Sequence, residues 1–207
     1  MQDAKREAQG DYYYRNQFIG ADPVWNVTGS GGTNKACLAA NKGTEWKCLL
    51  AQYIAPHLKT PIFVMNSNYD AWQMSGVLAA ECIPTPTKTC TAAQNSSLRA
   101  FREDFISAIA GITSKKQNGC FLDSCYVHEQ NVNYCSGQGM PNCVGWSPKE
   151  PGSKKWGYTT AVTLRNGKSV TPQEAFGAWY KGESIVAIDS HTFFDNPTCH
   201  YLGKPAS

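Results

Sequence analysis

Thr60-Pro61-Ile62-Phe63-Val64-Met65-Asn66-Ser67-Asn68-Tyr69-Asp70 opens on a proline, runs through four apolar residues and closes on polar ones. A short apolar run without alternation reads as a strand buried on both faces, the situation of a strand inside a parallel sheet. A second stretch, Cys120-Phe121-Leu122-Asp123-Ser124-Cys125, is a second candidate strand. Between them Leu98, Phe101, Phe105, Ala108, Ile109 and Ile112 recur at three- and four-residue steps, which predicts an amphipathic helix. Thr91, with Gln94 three residues on, predicts a capping box at its start, and Lys115 to Gly119 close it. Thr171-Pro172-Gln173-Glu174 combines an N-cap, a proline at the first helical position and a glutamate at the third. The helix it opens presents Ala175, Phe176, Trp179 and Tyr180 and stops at Gly182. Strand, helix, strand, helix implies an α/β fold, a parallel sheet flanked by helices.

Working outward, Asn166-Gly167 between Thr163-Leu164 and Ser169-Val170 predicts a hairpin with a two-residue turn. Glu45 to Leu58 predicts a short helix ended by Pro61. Residues 1–45 are polar and rich in Gly, Asn and aromatics, with a flexible tip at Gly29-Ser30-Gly31-Gly32, and within them 1–34 form an N-terminal segment that composition leaves unassigned. A Pro/Thr loop spans 82–90 and a long Gly/Pro-rich loop runs from Cys135 to Gly157. No repeats are evident. The whole of 1–207 reads as a single partial domain.

The 207 residues are 42% hydrophobic and 17% charged, with a net charge of +3. That composition belongs to a folded chain rather than a disordered one. The longest apolar runs, such as Ile62 to Met65 and Ile185 to Ile188, fall far short of the ~20 residues of a membrane span. A charge of +3 spread along the chain supplies no stripe for tracking phosphates, so no nucleic-acid partner is expected.

Nine cysteines are too many for a typical cytosolic enzyme. Cys37 with Cys48, Cys82 with Cys90 and Cys135 with Cys143 are each spaced to close a small loop, which points to an oxidising compartment. The odd count leaves one cysteine without a partner. Two N-glycosylation sequons, Asn26-Val27-Thr28 and Asn95-Ser96-Ser97, fit the same compartment. The start, Met1-Gln2-Asp3-Ala4-Lys5-Arg6-Glu7, is polar throughout and holds no export signal. The simplest reconciliation is a chain that is a piece of something longer.

In open α/β sheets the functional side chains sit at the carboxyl ends of strands. Asp70 follows the first candidate strand and His128 the second, one helix apart. Acid and then histidine is the tail of the Ser…Asp…His order of an α/β-hydrolase, with the acid fixing the imidazole tautomer and the imidazole taking the nucleophile's proton. The bland reading of a post-strand aspartate is a helix cap or turn residue.

The run Thr60 to Gln73, through Asn68-Tyr69-Asp70-Ala71-Trp72-Gln73, resembles the acid-bearing segment of the pectin acetylesterase/Notum family. Gly119 to His128 resembles that family's histidine segment, and Asn196-Pro197-Thr198-Cys199 its closing motif. The resemblance covers roughly residues 35–202 and takes in the helix from Thr171 to Tyr180. It implies the C-terminal part of an α/β-hydrolase fold and an extracellular carboxylester hydrolase with a Ser-His-Asp triad. Asp70 would be its acid and His128 its base. The substrate would be an acetylated polysaccharide or an acylated protein, with no cofactor and no metal.

Departures from the family pattern locate the rest of the machinery. Ser147, Ser169 and Ser184 have a glycine two residues before them but none two residues after, and all three follow His128. No serine sits in a G-x-S-x-G elbow, so the nucleophile and the oxyanion segment are expected outside this chain, on an N-terminal half of the same fold. Ser190 and Asp195 stand where relatives carry cysteines, which accounts for the odd count. Three other readings compete. Cys120, Cys125 and His128, with His191 or His200 as a fourth ligand, match no common zinc spacing. A cysteine nucleophile would compete with loop closure. A secreted carbohydrate-binding module would draw on Trp25, Trp46, Trp72, Trp146, Trp156 and Trp179, although Trp179 belongs on the buried stripe of its helix.

Overall fold

The computed structural model describes residues 5–7, 10–84, 88–128, 160–164, 166–191 and 196–199. The chain forms two compact units. One comprises the residues up to Pro61 with Gln73–Pro84 and Lys88–Ile112; the other comprises Ile62–Trp72, Thr85–Thr87 and the residues from Thr113 onward. The expected Cys135–Cys143 pairing lies outside the described residues.

The first unit is helical. Helix α1 (Tyr13–Trp25) lies in the segment that composition leaves unassigned, and α2 (Lys35–Ala40) directly follows it. Helix α1 buries none of its residues, so no apolar stripe announces it in the sequence. Helix α2 opens at Asn34, whose side-chain oxygen accepts from the N–H groups of Ala36 and Cys37 at 3.0 Å each. The helix expected over Glu45 to Leu58 is broken instead into a 3-10 turn at Glu45–Leu49, a single turn α3 (Ala51–Ile54) and a 3-10 turn at Ala55–His57. Leu50 is extended (ψ 132°), and Pro56 has no N–H to continue a helix.

Helix α4 (Ala92–Thr113) forms as expected. The Gln94 N–H donates to Thr91 Oγ1 at 3.3 Å and the Thr91 N–H donates back to Gln94 Oε1 at 3.0 Å, closing the capping box. Leu98, Phe101, Phe105, Ile109 and Ile112 are buried along one stripe, each contributing roughly 1.5–3 kcal/mol of apolar burial. Disulfides Cys37–Cys48 and Cys82–Cys90 close the two short loops as their spacing predicts. No described helix is long and apolar enough to cross a membrane.

The second unit holds the sheet. Strands β1 (Phe63–Ser67) and β2 (Gly119–Asp123), the hairpin β3 (Val162–Thr163) with β4 (Ser169–Val170), helix α5 (Pro172–Tyr180) and strand β5 (Val186–Ile188) follow in chain order. The three-stranded sheet runs β1-β2-β5 and is parallel throughout, with Phe63 opposite Gly119, Ser67 opposite Asp123 and Leu122 opposite Ile188. The central strand β2 is buried at all five positions, as an unalternating run requires. Phe121, Val162, Val170, Ala175 and Ala187 form the core on one side, flanked by Phe63, Leu164 and Ile185. The capping box of α5 is complete, with the Glu174 N–H on Thr171 Oγ1 and the Thr171 N–H on Glu174 Oε2. Trp179 belongs to this packing rather than to a sugar-binding face. Its ring lies 5.4 Å from that of Phe63, and its Nε1 donates to the Gln117 carbonyl at 2.9 Å.

The hairpin differs in its turn. The Gly167 N–H donates to the Leu164 carbonyl at 2.9 Å and the Leu164 N–H to the Lys168 carbonyl at 2.8 Å. Among the described residues of the turn Gly167 takes the left-handed region (φ 81°) and Asn166 does not, so the two-residue turn that needs both is replaced by a longer one ending on a left-handed glycine.

Gly119 begins β2 because nothing larger fits there. An added Cβ would lie 2.9 Å from a Phe63 ring carbon, 2.9 Å from a Trp179 ring carbon and 3.0 Å from the Ile185 carbonyl oxygen. Gly119→Ala is therefore expected to cost about 1–3 kcal/mol, the range of an overpacked core. A lowered urea midpoint at unchanged slope would show it, and an unshifted midpoint would mean the rings yield freely.

Cys120 is the free cysteine among the described residues, and it is buried in β2. Burial pushes its thiol up to about 12 from 9.0, against a smaller lowering by a backbone hydrogen bond at Ala187. The native state therefore holds a proton that the unfolded chain loses above 9.0, so stability falls as pH rises past that value. Thiol reagents should leave Cys120 unlabelled until the chain unfolds, and rapid native labelling would contradict its burial.

Candidate active site

The carboxyl ends of β1 and β2 are laced together residue by residue. The Asn68 N–H donates to the Asp123 carbonyl at 2.7 Å, and the Ala71 N–H donates to the Val127 carbonyl at 3.1 Å. Ser67 Oγ donates to the Cys125 carbonyl and accepts from the Tyr69 N–H at 2.9 Å. Two segments that leave neighbouring parallel strands thus continue side by side. Asp70 and His128 ride on them.

Their side chains meet. His128 Nδ1 lies 2.8 Å from Asp70 Oδ2, across 58 residues of chain. The Asp70 side chain is only 4% exposed, whereas that of His128 is 41% exposed. A carboxylate accepts and does not donate, so the hydrogen in this contact sits on Nδ1 and the other ring nitrogen, Nε2, is left to exchange a proton. A buried acid beside an accessible imidazole is an arrangement able to hold one tautomer and exchange a proton at the exposed ring nitrogen.

Two aromatic residues, neither assigned to this site by the sequence reading, complete the surroundings. Trp72 stacks on the imidazole, with ring centroids 5.9 Å apart and planes 25° apart, and is itself 38% exposed. One hydrogen bond fixes a direction but leaves a ring free to swivel about it; a stacked partner fixes the plane. Tyr126 lies close enough to sense the acid, since burial and then the charge of Asp70 raise its phenol above the usual range. The side-chain amide of Asn68, two residues before Asp70, is fully buried and makes no hydrogen bond among the described residues.

A second constellation supports the histidine segment from the other side of β2. Asp189, directly after β5, is 1% exposed. Its Oδ2 accepts from the Ser124 N–H at 3.1 Å, Ser124 Oγ at 2.7 Å and Asn196 Nδ2 at 2.5 Å. Its Oδ1 accepts from the His191 N–H at 3.0 Å and lies 2.6 Å from His191 Nδ1. Burial alone would raise this carboxyl; the hydrogen bonds from Asn196, His191 and Ser124 outweigh it and hold the pKa below 3.8. Next to Ser124, Cys125 is disulfide-bonded to Cys199. That bond removes Cys125 from the zinc spacing considered for Cys120, Cys125 and His128. It also ties the start of the histidine segment to the Asn196-Pro197-Thr198-Cys199 motif. The rule that singles out Asp70, a polar residue just past an apolar run, applies equally to Asp189 after Ile185 to Ile188, and would have found it.

A family model described as pectinacetylesterase matches residues 5–200. The chain is 31% identical over 162 residues to Pectin acetylesterase 11 of Arabidopsis thaliana and 33% identical over 162 residues to Pectin acetylesterase 7 of the same plant. It is 27% identical over 182 residues to Pectin acetylesterase 5, again from Arabidopsis thaliana. These alignments cover 73%, 73% and 82% of this chain and 36% of each relative. The chain thus spans about a third of the length of the curated relatives it matches.

Proposed function

The chain belongs to the pectinacetylesterase family, and from that premise we propose that it carries the acid–base part of a serine carboxylesterase acting on acetylated, pectin-like polysaccharide. The observation that carries this reading is the 2.8 Å contact between buried Asp70 and half-exposed His128 at the ends of neighbouring parallel strands. Polysaccharide is preferred to an acylated protein because the relatives' names specify pectin.

The geometry supports the following division of labour. A serine hydroxyl attacks the acetyl carbonyl and passes its proton to His128 Nε2, while Asp70 holds the tautomer and stabilises the imidazolium. The imidazolium returns that proton to the departing sugar oxygen, leaving an acetyl-serine ester. Water then attacks the ester, gives one proton to the same nitrogen, and the regenerated serine takes it back as acetate leaves. Trp72 keeps the imidazole plane aligned through this cycle. The serine and the oxyanion donors are placed outside the 207 residues, which contain no G-x-S-x-G. The described disulfides fit an exported protein.

Acetate release from acetylated pectin tests the proposal. The chain alone should stay at background, and His128→Ala should change nothing there. Joined to the upstream portion of Pectin acetylesterase 11, it should hydrolyse the substrate. Asp70→Asn or His128→Ala should then lose on the order of 10³- to 10⁴-fold, the usual scale for a triad member. An active fusion indifferent to His128→Ala would overturn the role of His128. A chain that turns over esters by itself and loses this with His128→Ala would overturn the placement of the nucleophile.

A further inference from the structure

We propose that Asn26 carries an N-linked oligosaccharide that covers the exposed apolar end of α1, and that the second sequon, at Asn95, is left bare. This rests on export of the chain, to which the disulfides point, and not on its ester chemistry.

The two sequons stand in opposite surroundings. Asn26 is exposed and sits in the left-handed region (φ 48°) immediately after α1, where the chain turns away from the helix axis. The turn that displays it is ordered by its own bonds. The Thr28 N–H donates to Asp22 Oδ1 at 2.9 Å and Thr28 Oγ1 to Asp22 Oδ2 at 2.8 Å, while Ser30 and Thr33 hydroxyls donate to the Val27 carbonyl at 2.8 and 3.1 Å. Asn95, in contrast, lies in the first turns of α4 and is half-buried. Its Nδ2, the atom a sugar would occupy, faces the Cys90 carbonyl at 3.5 Å, and its Oδ1 is buried. A glycan there would have to displace the helix start beside the Cys82–Cys90 loop.

The surface next to Asn26 supplies the second observation. Val24 and Trp25, the two residues before it, are 73% and 75% exposed, and α1 buries no residue at all. Adjacent large apolar side chains left in water at one helix end are a sticky patch unless something covers them. A sugar on the next residue is within reach, and the apolar face of a pyranose stacks on an indole in the way sugars generally meet aromatic rings.

The transfer is the ordinary one from a lipid-linked pyrophosphate oligosaccharide. The bond from sugar C1 to the pyrophosphate oxygen breaks, a bond from C1 to Asn26 Nδ2 forms, and the amide gives up one proton as the lipid pyrophosphate leaves. Thr28 Oγ1 is taken up by Asp22 in the folded turn, so the transfer belongs before that turn closes.

The test is secretion of the full chain, behind a cleavable leader, from a eukaryotic host. Enzymatic removal of N-glycans in heavy-oxygen water tags each occupied asparagine, and peptide mapping reads the tags. The expected result is a tag at Asn26, none at Asn95, and loss of the glycan band with Asn26→Gln. Hydroxyl-radical footprinting of the Trp25 peptide should show several-fold slower oxidation with the glycan on than after its removal. An untagged Asn26 in the secreted protein, or a tag at Asn95, overturns the assignment. Equal oxidation of Trp25 with and without the glycan overturns the covering role. None of these readouts depends on ester hydrolysis, so they stand or fall apart from the proposed activity.

Discussion

Replacing Cys125 and Cys199 together with alanine is expected to lower the unfolding free energy by about 4 kcal/mol, the chain-entropy value for a crosslink across a loop of this length. The bond spans 74 residues and anchors the segment that leads to His128. Both sulfurs are buried, at 4% and 6% residue exposure, so little of the loss should be recovered by solvation. Chemical denaturation of the double variant, compared with a Cys82→Ala/Cys90→Ala variant whose loop spans only 8 residues, isolates the length effect. A long-loop variant no less stable than the short-loop one would show that the sheet alone closes this loop. The double variant should also lose the contact of His128 with Asp70 before it loses β1–β2 pairing. Weakened protection of the Ala71 amide and of the amide at position 125, with intact protection in β2, would register this in hydrogen exchange.

Asp189→Ala should cost a comparable amount, about 3–5 kcal/mol at neutral pH. Removing a buried acceptor strips a hydrogen bond from each of its donors, here the Ser124 amide and hydroxyl, the Asn196 amide and the His191 backbone N–H, with the His191 ring losing its contact too. The pH dependence carries the signature. The folded pKa is held below 3.8, so this stabilisation is fully present above that value and is lost as pH falls through the lower, folded one. Asp189→Asn keeps the shape without the charge and should flatten the acid limb of the stability curve. An acid limb identical to that of the unsubstituted chain would assign acid lability to other carboxylates.

The central strand β2 was legible because it is buried at all five positions, and a strand with no wet face shows itself by composition alone. Strand β1, read from the same kind of run, lies at the edge of the described sheet and is only partly buried at Phe63 to Asn66. The helices α4 and α5 were legible for two reasons at once, a stripe at three- and four-residue steps and a capping box at the start. Helix α1 was not, because Tyr13–Trp25 buries nothing and so carries no stripe, only an Arg15 guanidinium 3.5 Å from the centroid of the Tyr12 ring. Glu45 to Leu58 misled because local apolar spacing survives in short turns even where Leu50 breaks the backbone. At the site, Asp70 and His128 stood out by strand-end position. Trp72 lies two residues from Asp70, but its stacking on His128 depends on how two loops 58 residues apart come to run in parallel. The partner of Cys125 was hidden for the same reason. Short spacing finds Cys37–Cys48 and Cys82–Cys90, and a 74-residue separation offers no local cue.

That separation also sets an order of events during synthesis. At ~5–20 residues per second, Cys199 leaves the ribosome roughly 4 to 15 seconds after Cys125. Throughout that wait Cys125 is a thiol five positions from another thiol, Cys120, and an early bond between them would strand Cys199. Cys120 is covered from two sides, by pairing of β2 with β1 and by its N–H donating to the Ile185 carbonyl at 3.1 Å beside β5. All three strands precede Cys199 in the chain, so the sheet that hides the wrong thiol can close before the right one is made.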